Sequence, residues 1–448
     1  MVAASISKAA SVCATCKARK KRCDKSLPCC GYCAHRGLVC RYQNTSPNLP
    51  PHTPDTPTSA SRLCTETQRL LETTGLYLDE ISVRYFQGIH AFVPIISRPR
   101  FHARLLSFGA DPQPAFALLL LCMGLLTKSA DPLGQLSPQR PHHTAEKMTL
   151  YVATKSLMAQ AHALLPLTTH LIQAGVLLAV YEYALGYPER AFVTIGTYAR
   201  MAYAAGIRST PCVCTSTTRT DWLAEQEENN TWWGIRICER TFLCELAVLN
   251  QPLASVMPAG DVHLPRESHT LDQDSPTVIG GFGRAAQAAW LLEDVLRGLC
   301  SADVDRQRAR LVECDRTLQS FLATLMQQNG GGSWGEFCGA IALTIRALFL
   351  LHTHLLARCV GTSSDDTQSA VSHLALDTVT KMVVDIAATR EHLPDSQIDH
   401  LPPSCMYIIR AALRHLHDVD DHGTTADAQL RTTLRKLEGR WGGGCSVV

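Results

Sequence analysis

The chain has 448 residues, 46% hydrophobic and 18% charged, which supports a large core of about two to four domains and excludes a disordered chain. Aromatic residues make up only 6% beside abundant Leu and Ala, a balance that favours helix. The net charge of +2 hides an asymmetry: residues 1–42 carry nine Lys and Arg against Asp24 alone, 9 − 1 = +8, leaving −6 for the remainder. A basic block on a mildly acidic body is the pattern of a nucleic-acid-binding module joined to something else.

Residues 1–12 are expected to be disordered, and "MVAASISKAASVC" lacks the apolar stretch of a secretory signal, so the chain is expected to stay inside the cell. The apolar run 115–126 is too short to span a bilayer, and no membrane segment is expected. In a reducing compartment dense cysteines point to metal rather than disulfides. Seven lie within 13–40, "CATCKARKKRCDKSLPCCGYCAHRGLVC". With Cys30 as the fourth ligand the stretch splits into two equal halves, Cys13-x2-Cys16-x6-Cys23 and Cys30-x2-Cys33-x6-Cys40; with Cys29 the symmetry breaks. Two Zn²⁺ need eight metal–sulfur bonds, so six sulfurs suffice only if two of them bridge. Six thiolates and two Zn²⁺ sum to −2, and the +7 of residues 13–42 still leaves a cationic surface. A single-metal ribbon on Cys13, Cys16, Cys30 and Cys33 is the competing arrangement and leaves Cys23 and Cys40 without a role. Cys29 is read as a bystander thiol.

In this spacing residues 13–42 resemble the DNA-binding domain of fungal zinc binuclear cluster transcription factors. The resemblance implies two Zn²⁺ ions, Cys13 and Cys30 as bridging sulfurs, Cys16, Cys23, Cys33 and Cys40 as terminal ones, and Pro28 in the turn between the halves. "KARKKR" at 17–22 is expected to form a short helix with cations on nearly every side, fit to enter a major groove. By position, the resemblance assigns base reading of a CGG triplet in double-stranded DNA to Arg19 and Lys20. Lys17, Lys21, Arg22, Lys25 and Arg36 are then phosphate contacts, which set affinity and salt dependence. Nuclear localisation follows from the same resemblance.

Residues 43–78 are expected to be a Pro/Ser/Thr-rich linker, with Ser46-Pro47, Thr53-Pro54 and Thr56-Pro57 as candidate phosphorylation sites. Leu63 and Leu70 are seven apart, but Gly75 follows, and no coiled coil of several heptads is visible. Dimerisation through the body and binding as a monomer both stay open. From residue 79 the patterns are helical, so the expected class is mainly α: a small N-terminal zinc cluster joined to a large all-helical regulatory body. "YFQGIHAFVPIISRPRF" at 85–101, "AFVTIGTYARMAYAAGI" at 191–207 and "TWWGIRICERTFLCELAVLNQPLA" at 231–254 resemble the family's middle homology region, taken as 79–265. Residues 266–448 form the helical C-terminal part, where "FGRAAQAAWLLEDVL" at 282–296 resembles regulators of fungal biosynthetic gene clusters. Glu239-Arg240 departs from the family's Asp-Arg, and Trp232 and Trp233 are read as core packing.

Enzyme signals are weak. Gly281-x-Gly283-x-x-Ala286 matches a dinucleotide fingerprint without the strand it needs, and is read as a loop before a helix starting near Ala285. His142-His143, read as part of a Pro-rich loop, and Cys212-x-Cys214 lack partner ligands. The twelve cysteines beyond Cys40 are read as small buried apolar residues. An oxidoreductase with a zinc-bearing appendage, and a zinc-dependent protein-interaction module, are the rival functions.

Overall fold

The computed structural model describes residues 8–9, 11–40, 42, 59–73, 75, 77–128, 140–207, 219–258, 264–265, 279–329, 335–358, 366–390, 395–419 and 424–441. It divides into two compact units, Met1–Pro57 and Thr58–Val448. The first holds two one-turn helices, α1 (Ala14–Ala18) and α2 (Gly31–His35). The second holds α3 (Ser59–Thr73), α4 (Leu78–Gln87), a 3-10 turn at Ile89–Ala91, α5 (Arg98–Ser107), α6 (Pro114–Thr127), α7 (Arg140–Leu164), α8 (Thr169–Ala184), α9 (Pro188–Ala204) and α10 (Arg219–Leu243). It continues with α11 (Gly281–Leu299), α12 (Val304–Asn329), α13 (Cys338–Arg358), α14 (Asp366–Arg390), α15 (Asp395–Ile398), α16 (Ser404–Asp418) and α17 (Thr425–Trp441). Among the described residues there is no strand, only an isolated antiparallel bridge between Lys8 and Ser26. The mainly helical class therefore holds.

Helices α6 and α8 form the centre of the N-terminal half of the body. α6 is apolar on all sides and α8 nearly so, with Gln173 and Glu182 buried among its apolar residues, and the two helices pack on each other. Pro114 starts α6, and the Thr168 hydroxyl caps α8 by accepting from the Leu171 N–H. The segment 93–97 runs irregularly through this core, and side chains satisfy its backbone. Gln173 donates to the Ile95 carbonyl at 2.7 Å, Asn230 to that of Pro94 at 3.2 Å, and Glu227 accepts the Ser97 N–H at 2.9 Å. Those polar residues of α8 and α10 explain the "VPIIS" signature: without them an irregular segment could not be buried.

Arg240, fully buried, ties α10 to α11 through Glu293 at 2.9 Å. It also donates to Glu239 at 2.9 Å and the Ser255 carbonyl at 2.7 Å, while Glu239 accepts from the Ala254 N–H at 2.6 Å. A Glu in place of the family's Asp thus keeps the carboxylate beside Arg240. Trp232 and Trp233 are buried in the core, and the cation over both rings is Arg236 of the same helix, at 5.1 and 4.9 Å. In the C-terminal half α13 is the hub, in contact with α11, α12, α14 and α16. By length and composition α13 is apolar enough to cross a membrane, a feature that a search for uninterrupted apolar runs passes over because Arg346 and His352 interrupt it. Arg346 is paired with Glu245 at 2.7 Å and His352 contacts Asp315 at 3.1 Å, so both polar groups are used inside the body.

Several boundaries differ from expectation. Residues 59–73, assigned to the linker, form α3, whose Leu63 and Leu71 are buried and which packs on α6 and α7. The heptad pair Leu63 and Leu70 thus serves the body's own core. His142 and His143 lie within α7 rather than a loop. Gly281 and Gly283 form the first turn of α11, not a preceding loop. A Cβ at Gly281 would stand 2.0 Å from the Glu336 carbonyl oxygen, so this glycine permits close backbone approach rather than cradling a phosphate. Of the later cysteines Cys64, Cys122, Cys238, Cys244 and Cys338 are buried, Cys314 and Cys405 are half-buried, and Cys300 is exposed, against the uniform reading. The candidate phosphorylation sites of the linker and Cys212-x-Cys214 lie outside the described residues.

A candidate zinc cluster and nucleic-acid interface

The two halves of the first unit have the same local structure. Cys13 and Cys30 are N-caps with extended backbone (φ −66°, ψ 152° and φ −70°, ψ 149°), and their sulfurs accept from the Cys16 and Cys33 N–H groups at 3.4 and 3.5 Å. Each helix then closes on a left-handed residue, Lys20 (φ 49°) and Gly37 (φ 61°). The Lys20 and Lys21 N–H groups donate to the Lys17 and Cys16 carbonyls, as those of Gly37 and Leu38 do to Ala34 and Cys33. The expected helix over 17–22 therefore ends at Ala18, because the chain must turn there to bring Cys23 back to the other sulfurs.

Two sulfur groups result: Cys13, Cys16, Cys23 and Cys30, and Cys13, Cys30, Cys33 and Cys40, each gathered within 4.8 Å, with Cys13 and Cys30 in both. Cys13 lies 3.8 Å from Cys30 and 3.7 Å from Cys33, and Cys16 lies 3.6 Å from Cys30. Tetrahedral zinc with Zn–S of about 2.3 Å sets an S···S edge of about 3.8 Å, whereas a disulfide requires about 2.0 Å. None of the seven cysteines is in a disulfide. Burial pushes Cys16 up to about 12 and raises Cys13 and Cys33, while N–H groups of Cys33 and Cys30 lower Cys30 and Cys40, the latter to about 7. Buried sulfurs so arranged are costly as thiolates on their own, and a divalent cation offsets that cost. The residues present fit two Zn²⁺ ions.

Lys17, Arg19, Lys20, Lys21 and Arg22 are all exposed, and none makes a side-chain hydrogen bond or ion pair among the described residues. Asp24, the acid that could neutralise them, accepts instead from the Gly31 N–H at 3.0 Å and the Ser26 N–H at 3.4 Å. The Gly31 N–H holds its carboxyl below the ordinary range. Two further residues went unassigned in the sequence. The Thr15 hydroxyl donates to the Val39 carbonyl at 2.5 Å, joining the halves, and the Tyr42 hydroxyl donates to the Ser26 carbonyl at 2.8 Å beside the Cys23 sulfur at 3.9 Å. Asp24 had a visible signal as the lone acid of a basic block; Thr15 and Tyr42 had none. Cys29 belongs to neither sulfur group, and the Leu27–Pro28 peptide at the turn is cis.

Comparison with known proteins agrees with this geometry. Residues 11–49 match the Fungal Zn(2)-Cys(6) binuclear cluster domain, and residues 83–246 match the Fungal specific transcription factor domain. A protein of Botryotinia fuckeliana (strain B05.10), Transcription factor BOA15, is 32% identical over 132 residues, which is 30% of this chain and 68% of that relative. The chain belongs to the fungal Zn(2)-Cys(6) transcription factors, DNA-binding proteins whose cluster holds two zinc ions through six cysteines. Both matched domains are those of transcription factors rather than enzymes.

Proposed function

We propose that this transcription factor recognises CGG-containing double-stranded DNA through the first half of its cysteine module. The observation that carries this is the set of five exposed cations from Lys17 to Arg22, without side-chain partners among the described residues, placed beside the sulfur cluster while Asp24 is occupied elsewhere. Two Zn²⁺ ions would be held by Cys13, Cys16, Cys23 and Cys30 and by Cys13, Cys30, Cys33 and Cys40, with Cys13 and Cys30 common to both sets. Bound zinc supplies charge neutralisation and a rigid fold, not chemistry on a substrate. Arg19 and Lys20 donate to guanine O6 and N7, while Lys17, Lys21 and Arg22 contact phosphates. The large helical unit regulates that module, and its division into a middle region over 79–265 and a C-terminal part over 266–448 belongs to the same proposal. We assign it no catalytic role, place its action in the nucleus, and assign it to a biosynthetic gene cluster on the resemblance of residues 282–296.

The test is selection from random duplex DNA by the full chain, purified with zinc. CGG triplets should be enriched, and the spacing of enriched pairs reports whether two copies bind together. Enrichment of unrelated sequences, or of CGG equally by Arg19→Ala, would refute the assignment of the base readers.

A further inference from the structure

Helices α12, α13, α14, α16 and α17 converge on a cavity inside the C-terminal half of the body. Its room, counted as the positions open to the centre of a water-sized sphere, is about 50 Å³, several times the ~10–15 Å³ that one water needs by that measure. Ten of the thirteen residues around it are buried, among them Ile341, Val383, Leu401, Ile409 and Leu437, and none of the thirteen is a charged residue. Met326, Ile386 and Cys405 are the members that reach solvent, and they mark its mouth. A flexible thioether at such a mouth can swing aside to admit a small molecule.

One lining side chain breaks the apolar pattern. Thr433 of α17 is 7% exposed, and its buried hydroxyl has no hydrogen-bond partner among the described residues. Buried threonines in these helices ordinarily donate to the carbonyl one turn back: Thr344 of α13 does so to Ala340 at 2.8 Å. Thr432, the neighbour of Thr433, donates to Ala428 in the same way at 2.8 Å. Thr433 makes no such bond to Gln429, so its hydroxyl is left over on the part of α17 that lines the cavity. Water suits this place poorly, because a buried water takes about two to four polar partners, and the lining side chains offer one hydroxyl and two weakly polar thiols.

We propose that this cavity is a binding site for a small neutral molecule, an apolar body of about six to ten non-hydrogen atoms with one oxygen or nitrogen that meets the Thr433 hydroxyl. The walls exclude ions, because no charged group stands there to offset their desolvation. Apolar surface leaving water supplies the affinity, and Thr433 supplies the orientation. The site lies wholly within the second unit and stands independently of the DNA reading.

The experiment titrates the zinc-loaded full chain with toluene and with phenol, two molecules of the same shape that differ by a methyl and a hydroxyl. Binding is followed by ligand-observed NMR, with Thr433→Val and Ala387→Leu in parallel and thermal melting to show that each variant is folded. Wild type should bind both molecules saturably. Thr433→Val should weaken phenol about 3- to 10-fold relative to toluene, the effect of losing one hydrogen bond. Ala387→Leu puts a larger side chain into the cavity and should abolish binding of both. No saturable binding by wild type, or binding that Ala387→Leu leaves unchanged, would overturn the site. An unchanged ratio of phenol to toluene affinity in Thr433→Val would overturn the ligand class, and that ratio decides alone if Ala387→Leu does not fold.

Discussion

From Cys13 to Cys23 the chain follows the path it repeats from Cys30 to Cys40, with the same N-cap geometry, the same single turn of helix and the same left-handed closure. The side chains on that path differ. Where the first half carries Lys17, Lys20, Lys21 and Arg22, the second carries Ala34, Gly37, Leu38 and Val39, and of the five cations Arg19 alone meets its like, Arg36. Backbone is thus dictated by what the halves share, the cysteines and their spacing, and the surface by what they do not. The position of Lys20 sharpens the point. Gly37 adopts its positive φ without a Cβ penalty, whereas a lysine there costs about 1 kcal/mol, so the first half carries a side chain where the fold itself would favour none.

The largest expected effect breaks what the halves share. Cys30→Ser removes a sulfur common to both groups and should abolish specific DNA binding and retention of both metals, whereas Cys40→Ser should release one. Native mass spectrometry of the two variants checks this, and equal zinc loss would end the shared-sulfur arrangement. A second change makes the halves alike. Lys20→Gly should leave the zinc number unchanged and weaken binding to a CGG site by about 10- to 100-fold, the effect of losing one base contact of about 1–3 kcal/mol. Titration by fluorescence anisotropy measures it, and an unchanged affinity would remove Lys20 from the base readers. The converse is smaller. Gly37→Ala should destabilise the module by about 1 kcal/mol, seen as easier zinc removal by a chelator, with little effect on CGG affinity in the loaded protein.

Legibility follows the range of the interactions involved. The six-cysteine register was visible because metal ligation imposes spacing on the chain directly, and the helical class because apolar residues in α6 and α8 leave no polar face to expose. The end of α1 was not visible: "KARKKR" has good helix formers throughout, and only the demand that Cys23 return to the cluster ends the helix at Ala18. Residues 59–73 read as linker because the prolines and small polar residues just upstream set the composition, while Leu63 and Leu71 reveal themselves as core only against α6 and α7. Gly281 reads in sequence as a loop before the helix, and only the Glu336 carbonyl, standing where its side chain would be, shows why the first turn of α11 holds a glycine.

The sequence by itself determined the number and spacing of the sulfurs, the sign and place of the charge beside them, and the helical character of the body, because covalent spacing, net charge and apolar periodicity are properties of neighbours along the chain. Tertiary structure decided which sulfurs stand in both groups and that Asp24 is tied to Gly31 rather than to a lysine. Those depend on distances between residues seven to twenty positions apart, which are fixed only when the chain has folded back on itself.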